Sequence, residues 1–291
     1  MKYSNPKIPE GINTSHENPL KEFVILASGA LIVIILLVTL ISYLLDWGSQ
    51  FIPFSYEQQM AQPFISEFVG EPSKGANEVD EYLQGLADRI SPLMALEDDV
   101  VIKLYYVNQD IVNGMATLGG NIFIYRGLLE KLPSENALVA LLAHEIAHVK
   151  LRHPVKSLSK GVVVASLLAL IGGQNSADIS GFISSGSQMV FLNYSREQEQ
   201  DADNEAVQLS ANMYRHTQGA QQLFDVLYEQ SIESNIQSIS WLNSHPDVEQ
   251  RIKSAELLAL SSQWQLSGEL VAIPNEILAL MHEDKLLHDD N

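Results

Sequence analysis

Cysteine is absent from the sequence. Its absence removes disulfides, thiolate catalysis and thiolate metal ligation together, so any metal held by this chain must rest on histidine and carboxylate. Basic residues are scarce as well: 17 Lys and Arg stand against 36 Asp and Glu, for a net charge of −19. No stretch clusters the cations, which excludes a nucleic-acid partner and leaves the acidity as a solubility property. Internal repeats and low-complexity tracts are also missing. What remains is a chain with 46% hydrophobic residues, enough to exclude general disorder and to build a core.

Only one apolar run is long enough to cross a bilayer. Phe23 to Leu45 carries no charge and is bounded by Lys21-Glu22 and Asp46; as a helix it spans about 34 Å against a hydrocarbon core of about 30 Å. A cleaved signal peptide would have a shorter apolar region followed by small residues, whereas Asp46-Trp47-Gly48-Ser49 follows here. The run therefore reads as an uncleaved anchor, with Tyr43 and Trp47 at an interface. Lys2, Lys7 and Lys21 precede it and no Lys or Arg follows closely, so the positive-inside rule places the N-terminus in the cytoplasm and the remainder outside, in a periplasm-like space. The expected organisation is a tail (1–22), a transmembrane helix (23–45), a catalytic domain (46–262) and a C-terminal extension (263–291).

The chemistry concentrates at His144-Glu145-Ile146-Ala147-His148. On a helix the i, i+4 spacing stacks both imidazoles on one face, where they can hold one zinc ion while Glu145 serves as general base toward the attacking water. With eight His and 22 Glu among 291 residues, an HExxH match is expected by chance only about 0.02 times. The periodicity around it predicts a helix from Asn77 to Met94, a strand from Val100 to Val107, and two short strands, Met115–Leu118 and Asn121–Tyr125, around Gly119-Gly120. Ser134 after Pro133 is the expected N-cap of a helix running through the motif to about His153, where Pro154 interrupts it. Two apolar stretches within 161–192 are too short to span a membrane and read as a helical hairpin. Helices are expected over 195–213, 217–229 and 247–260, and an amphipathic turn around Ile277–Met281.

A catalytic zinc site needs a third protein ligand. The metzincin spacing fails, because Pro154 and Leu151 stand where that pattern has His and Gly; His153 is one residue early and is expected to cap the helix end or meet solvent. The better source is Ser195 to Ala206, with acids at every second position. On a helix, Glu197, Asp201 and Glu205 share one face, while Glu199 and Asp203 fall on the other with Ala202 and Ala206. Inward carboxylates need a cation to offset desolvation. Glu199 is thus the expected third ligand, and Asp203 the carboxylate that fixes the tautomer of His144.

Four ordered segments, MATLGGNIFIYRGLL, HEIAHVKLRHP, SREQEQDAD and SHPDVEQRI, resemble the membrane-associated zinc endopeptidases of the HtpX type, a family that includes the CAAX prenyl endopeptidases and the Oma-type proteases. The match covers about 140 residues, Asn113 to Arg251. The resemblance implies that Glu199 is the third zinc ligand. It also implies that Gly119, Gly120 and Asn121 belong to a strand beside the active-site helix on whose free edge a substrate adds. Leu118 stands where the family has proline, so a less rigid turn is expected. Through the same resemblance His245, followed by Pro246, faces the metal from across the cleft, where it could stabilise an oxyanion or cover the metal at rest, and Arg251 is grouped with the substrate-binding residues.

These readings converge on an α+β, mainly helical, zincin-like metallopeptidase domain with a small antiparallel sheet, preceded by one transmembrane helix. The expected catalytic residues are Glu145 and His245; the metal ligands are His144, His148 and Glu199, holding one zinc per chain. Expected partners are the membrane and misfolded or unassembled envelope proteins, cleaved in quality control. The alternatives are a non-proteolytic tethered chaperone on the same fold, which the intact Glu145 disfavours, and a latent protease capped by His245.

Overall fold

The computed structural model describes residues 18–69, 75–161, 194–233, 245 and 248–289. The chain divides into two units, Met1–Leu44 and Leu45–Asn291. The first contains most of α1 (Pro19–Ser49), a helix whose most apolar window has a mean hydropathy of 3.1 and buries none of its residues. It is long and apolar enough to cross a membrane.

In the second unit, α2 (Phe54–Val69) and α3 (Ala76–Ile90) precede three strands, β1 (Lys103–Val107), β2 (Gly114–Ala116) and β3 (Asn121–Tyr125). The strands are ordered β1-β3-β2, so β2 is an edge. The small sheet is present as expected, but it is mixed: β2 pairs antiparallel with β3, with Met115 opposite Phe123, whereas β1 runs parallel to β3, with Tyr105 opposite Phe123. The loop from 108 to 113 lets the chain return in this way without a hairpin between β1 and β2.

The turn from β2 to β3 is a short 3-10 segment, Leu118–Gly120. Gly119 and Gly120 have φ of +71° and +76°; a Cβ on Gly119 would lie 2.6 Å from the Gln58 backbone, and one on Gly120 would lie 2.1 Å from the Val101 carbonyl. Only glycine fits there. Asn121 Nδ2 donates to the Leu118 carbonyl at 2.8 Å, a side-chain tie across the turn that has leucine in the position of the family proline.

After α4 (Arg126–Leu129) comes α5 (Glu135–Lys150), which is buried along nearly its whole length. A helix apolar on all sides belongs in a core, and α5 packs against α7 (Arg196–Tyr214) and α8 (Gln218–Glu233). Its start is the expected one: Ser134 Oγ accepts from Ala137 N at 3.1 Å. Its end differs, because α5 stops at Lys150 and Arg152 turns left-handed at φ 61°. Pro154 falls in the first turn of a new helix, α6 (153–161), where proline lacks nothing the helix needs. The remainder of the hairpin expected over 161–192 lies outside the described residues.

Ser195 caps α7 through a capping box with Gln198. Helices α9 (Val248–Ser261) and α10 (Asn275–Asp289) complete the unit. Where the sequence indicated an isolated amphipathic turn, α10 is a full helix, packed on α3 with Ile277, Met281 and Asp284 buried. The C-terminal extension is therefore part of the same unit rather than an appendage.

Candidate metal centre and catalytic cluster

Helix α5 delivers His144, Glu145 and His148, all at or below 1% exposure. The i, i+4 spacing brings His144 Nε2 to 3.0 Å from His148 Nε2. Helix α7 supplies the facing wall: Glu199 Oε1 lies 3.5 Å from His148 Nε2, and Glu199 Oε2 lies 3.7 Å from His144 Nε2. The two-face division of the acidic helix is visible in burial, with Glu199 and Asp203 inside, Glu197 and Asp201 exposed, and Glu205 paired at 2.7 Å with Lys150.

The other ring nitrogens are committed elsewhere. His144 Nδ1 lies 3.0 Å from Asp203 Oδ1, which leaves Nε2 as a lone-pair donor. His148 Nδ1 lies 2.9 Å from Nδ1 of His153. The sequence placed His153 at the helix end or in solvent; the left-handed Arg152 instead folds the chain back and buries it beside His148. With His148 donating from Nδ1, the two Nε2 atoms would both present lone pairs to the same locus, as two ligands of one metal ion do.

His245 joins the same group: its Nδ1 lies 2.8 Å from Glu199 Oε1 and 3.4 Å from His144 Nε2, and its Nε2 lies 3.9 Å from Glu145 Oε1. One ligand atom from each of His144, His148, Glu199 and His245 lies within 4.8 Å of the others, all buried. Three imidazoles and a carboxylate suit a borderline divalent metal, so the residues present fit a metal ion. Burial holds the three imidazoles below the usual histidine range, most strongly for His148 and His245, in the neutral form a metal requires.

Arg251 packs against the carboxylates of the cluster. It was expected among substrate-binding residues, but it is buried, donating from Nε and Nη2 to both Asp203 oxygens at 2.7 Å, with Nη1 2.9 Å from Glu199 Oε2. Burial pushes the Glu199 carboxyl up to about 7 despite that neighbour. For Asp203 burial acts in the same sense, but the Arg251 charge and the hydrogen bonds from Arg251 and His144 outweigh it and hold the carboxyl well below the usual range.

Gly119, Gly120 and Asn121 are likewise elsewhere. Both glycines are buried, packed on Gln58 and Val101, and Asn121 opens the central strand, paired with Lys103. The edge strand beside α5 is β2. There Ala116 N donates to Glu145 Oε2 at 2.8 Å, which orients the carboxylate from the strand. Tyr194 escaped sequence reasoning altogether. It immediately precedes the Ser195 cap, and its buried ring stacks on His148 with centroids 3.9 Å apart and planes at 16°; an aromatic residue at the position before a cap beside a ligand helix was the available signal.

Peptidase family M48 matches residues 76–259, which include every residue of this cluster. The chain belongs to this family. Similar proteins are the mitochondrial metalloendopeptidase OMA1 of Schizosaccharomyces pombe, 24% identical over 70% of this chain and 61% of its own length, and the β-barrel assembly-enhancing protease of Escherichia coli, 24% identical over 68% of this chain and 43% of its own. The protease of that name from Yersinia pestis is 31% identical over 36% of this chain and 24% of its own length. The chain thus spans less than two thirds of each of these relatives.

Proposed function

We propose that this protein is a membrane-anchored zinc endopeptidase, with its N-terminus cytoplasmic, that cleaves misfolded or unassembled envelope and membrane proteins. The observation that carries the catalytic reading is the convergence of His144, His148 and Glu199 on one buried locus with Glu145 beside it. The names of the relatives, a metalloendopeptidase and assembly-enhancing proteases, support the choice of protein substrates, and the apolar helix supports the anchor.

His144, His148 and Glu199 would hold the ion. When bound, zinc supplies a Lewis acid that polarises the scissile carbonyl and makes water a nucleophile near neutral pH. Glu145 takes the proton from the attacking water and passes it to the leaving amine. Asp203 keeps His144 in its Nδ1–H tautomer, and Arg251 fixes the orientation of Asp203 and Glu199. Glu145→Gln should retain metal yet lose at least about a thousandfold in casein cleavage; an unchanged rate refutes the assignment.

A second reading is favoured by His245, the fourth member of the ligand cluster, whose Nδ1 lies 2.8 Å from Glu199 Oε1. Open catalytic sites keep one position for water or substrate, so His245 would act as a cap on a latent enzyme. His245→Ala then raises casein cleavage, whereas a catalytic role as oxyanion donor predicts that cleavage is lost.

A further inference from the structure

Both edges of the three-stranded sheet are sealed by side chains, but by different kinds. Along the outer edge of β1, Leu104 N donates to Gln84 Oε1 at 3.0 Å, Tyr106 N donates to Asp80 Oδ1, and the Ile102 carbonyl accepts from Gln84 Nε2 at 3.2 Å. Those residues belong to α3, which lies against the strand and takes no part in the metal cluster. This is ordinary edge protection.

Strand β2 is sealed by the active site itself. Asn113 O accepts from Tyr125 N, and Thr117 N donates to Asn121 O. Residues of that parity face β3, so Gly114 and Ala116 turn their N–H and C=O outward. Ala116 N is held by Glu145 at 2.8 Å, and Ala116 O accepts from Tyr194 Oη at 3.0 Å. These are the two backbone groups that an added extended chain would pair with.

We propose that Tyr194 is a displaceable cap on the substrate-receiving edge. Its phenol occupies the Ala116 carbonyl until the N–H of an extended polypeptide takes its place, and the incoming C=O takes the Ala116 N–H from Glu145 in the same event. Docking and release of the base are thereby coupled. A segment that cannot extend against β2 leaves Glu145 tethered to the strand. The stack of Tyr194 on His148 keeps the ring in place while the hydroxyl exchanges partners. The inference rests on the peptidase reading above and adds a positioning residue to it.

The test is Tyr194→Phe in the full-length protein in detergent, which keeps the stacked ring and removes only the competing donor. Equilibrium binding of a fluorescein-labelled casein peptide is measured in the Glu145→Gln background, where the Gln side-chain oxygen still accepts from Ala116 N. The expected result is a Kd lower by about two- to tenfold, the worth of one released hydrogen bond, at unchanged metal stoichiometry. In the otherwise wild-type enzyme the larger effect falls on KM rather than kcat. The same peptide N-methylated at alternate residues should show no gain, since it lacks the replacing donors. An unchanged or weaker Kd, a gain that persists on N-methylation, or a fall in kcat at constant KM overturns the proposal; the last identifies Tyr194 as a transition-state donor instead. Binding needs no turnover, so failure of both wild type and His245→Ala to cleave casein would refute the peptidase reading separately.

Discussion

At the scale of single residues, the cluster is held by carboxylates whose orientation depends on one buried cation. Arg251→Met removes a partner from both Asp203 and Glu199 and leaves two buried acids in place. The expected cost is about 3–5 kcal/mol in chemical denaturation, with metal affinity reduced by about 10- to 100-fold, as when an outer partner of a ligand is lost. Unchanged zinc affinity would show that Arg251 is only a structural tie. Glu199→Ala should lower metal stoichiometry in the purified protein; full retention would make His245 the third ligand. Much at this scale was legible in the sequence, because the helical repeat alone separates Glu199 and Asp203 from Glu197 and Asp201. His153 and Tyr194 were not legible, since their positions depend on a left-handed Arg152 and on the entry path into α7, neither of which leaves a periodic signal.

Among the elements, β1 and the β2–β3 turn are the places where local chemistry can be tested apart from catalysis. Asp80 is half-buried and accepts from Tyr106 N; burial raises its pKa against the lowering effect of that hydrogen bond. A carboxyl raised in the folded state favours the protonated form, so its ionisation opposes folding above the folded pKa, and that penalty fades as pH falls through it. Asp80→Asn, which keeps the acceptor without the charge, should therefore match or exceed wild-type stability at pH 7, and the difference should shrink on acidification. A thermal melt series across pH checks the sign. Gly120→Ala should cost about 2–3 kcal/mol or more, from positive φ and the Val101 carbonyl together. Glycine and strand positions here were readable from the sequence. The parallel direction of β1 was not, because two short strands separated by a loop look alike in either sense, and β1 reaches its place only by packing on α3.

For the whole molecule, the catalytic cluster joins helices distant in sequence: α5, α7, α9 and the segment at His245 all meet there. Folding and metal binding are consequently linked. Removing metal with a chelator should lower Tm, and restoring zinc to a thousand times Kd should return about 4 kcal/mol, readable by calorimetry; an identical Tm with and without metal would show that the helices are held by apolar packing alone. The packing of α10 on α3 was not legible in the sequence, since an apolar repeat in a short C-terminal stretch does not reveal which surface it covers. Charge balance gives the Arg251 arrangement a further meaning. With Glu145, Glu199 and Asp203 ionised, the pocket carries three negative charges and the guanidinium returns one positive. A dication brings the pocket to formal electroneutrality, whereas a monovalent ion leaves it short and a trivalent ion overshoots, so one arginine matches the charge of this pocket to a divalent ion.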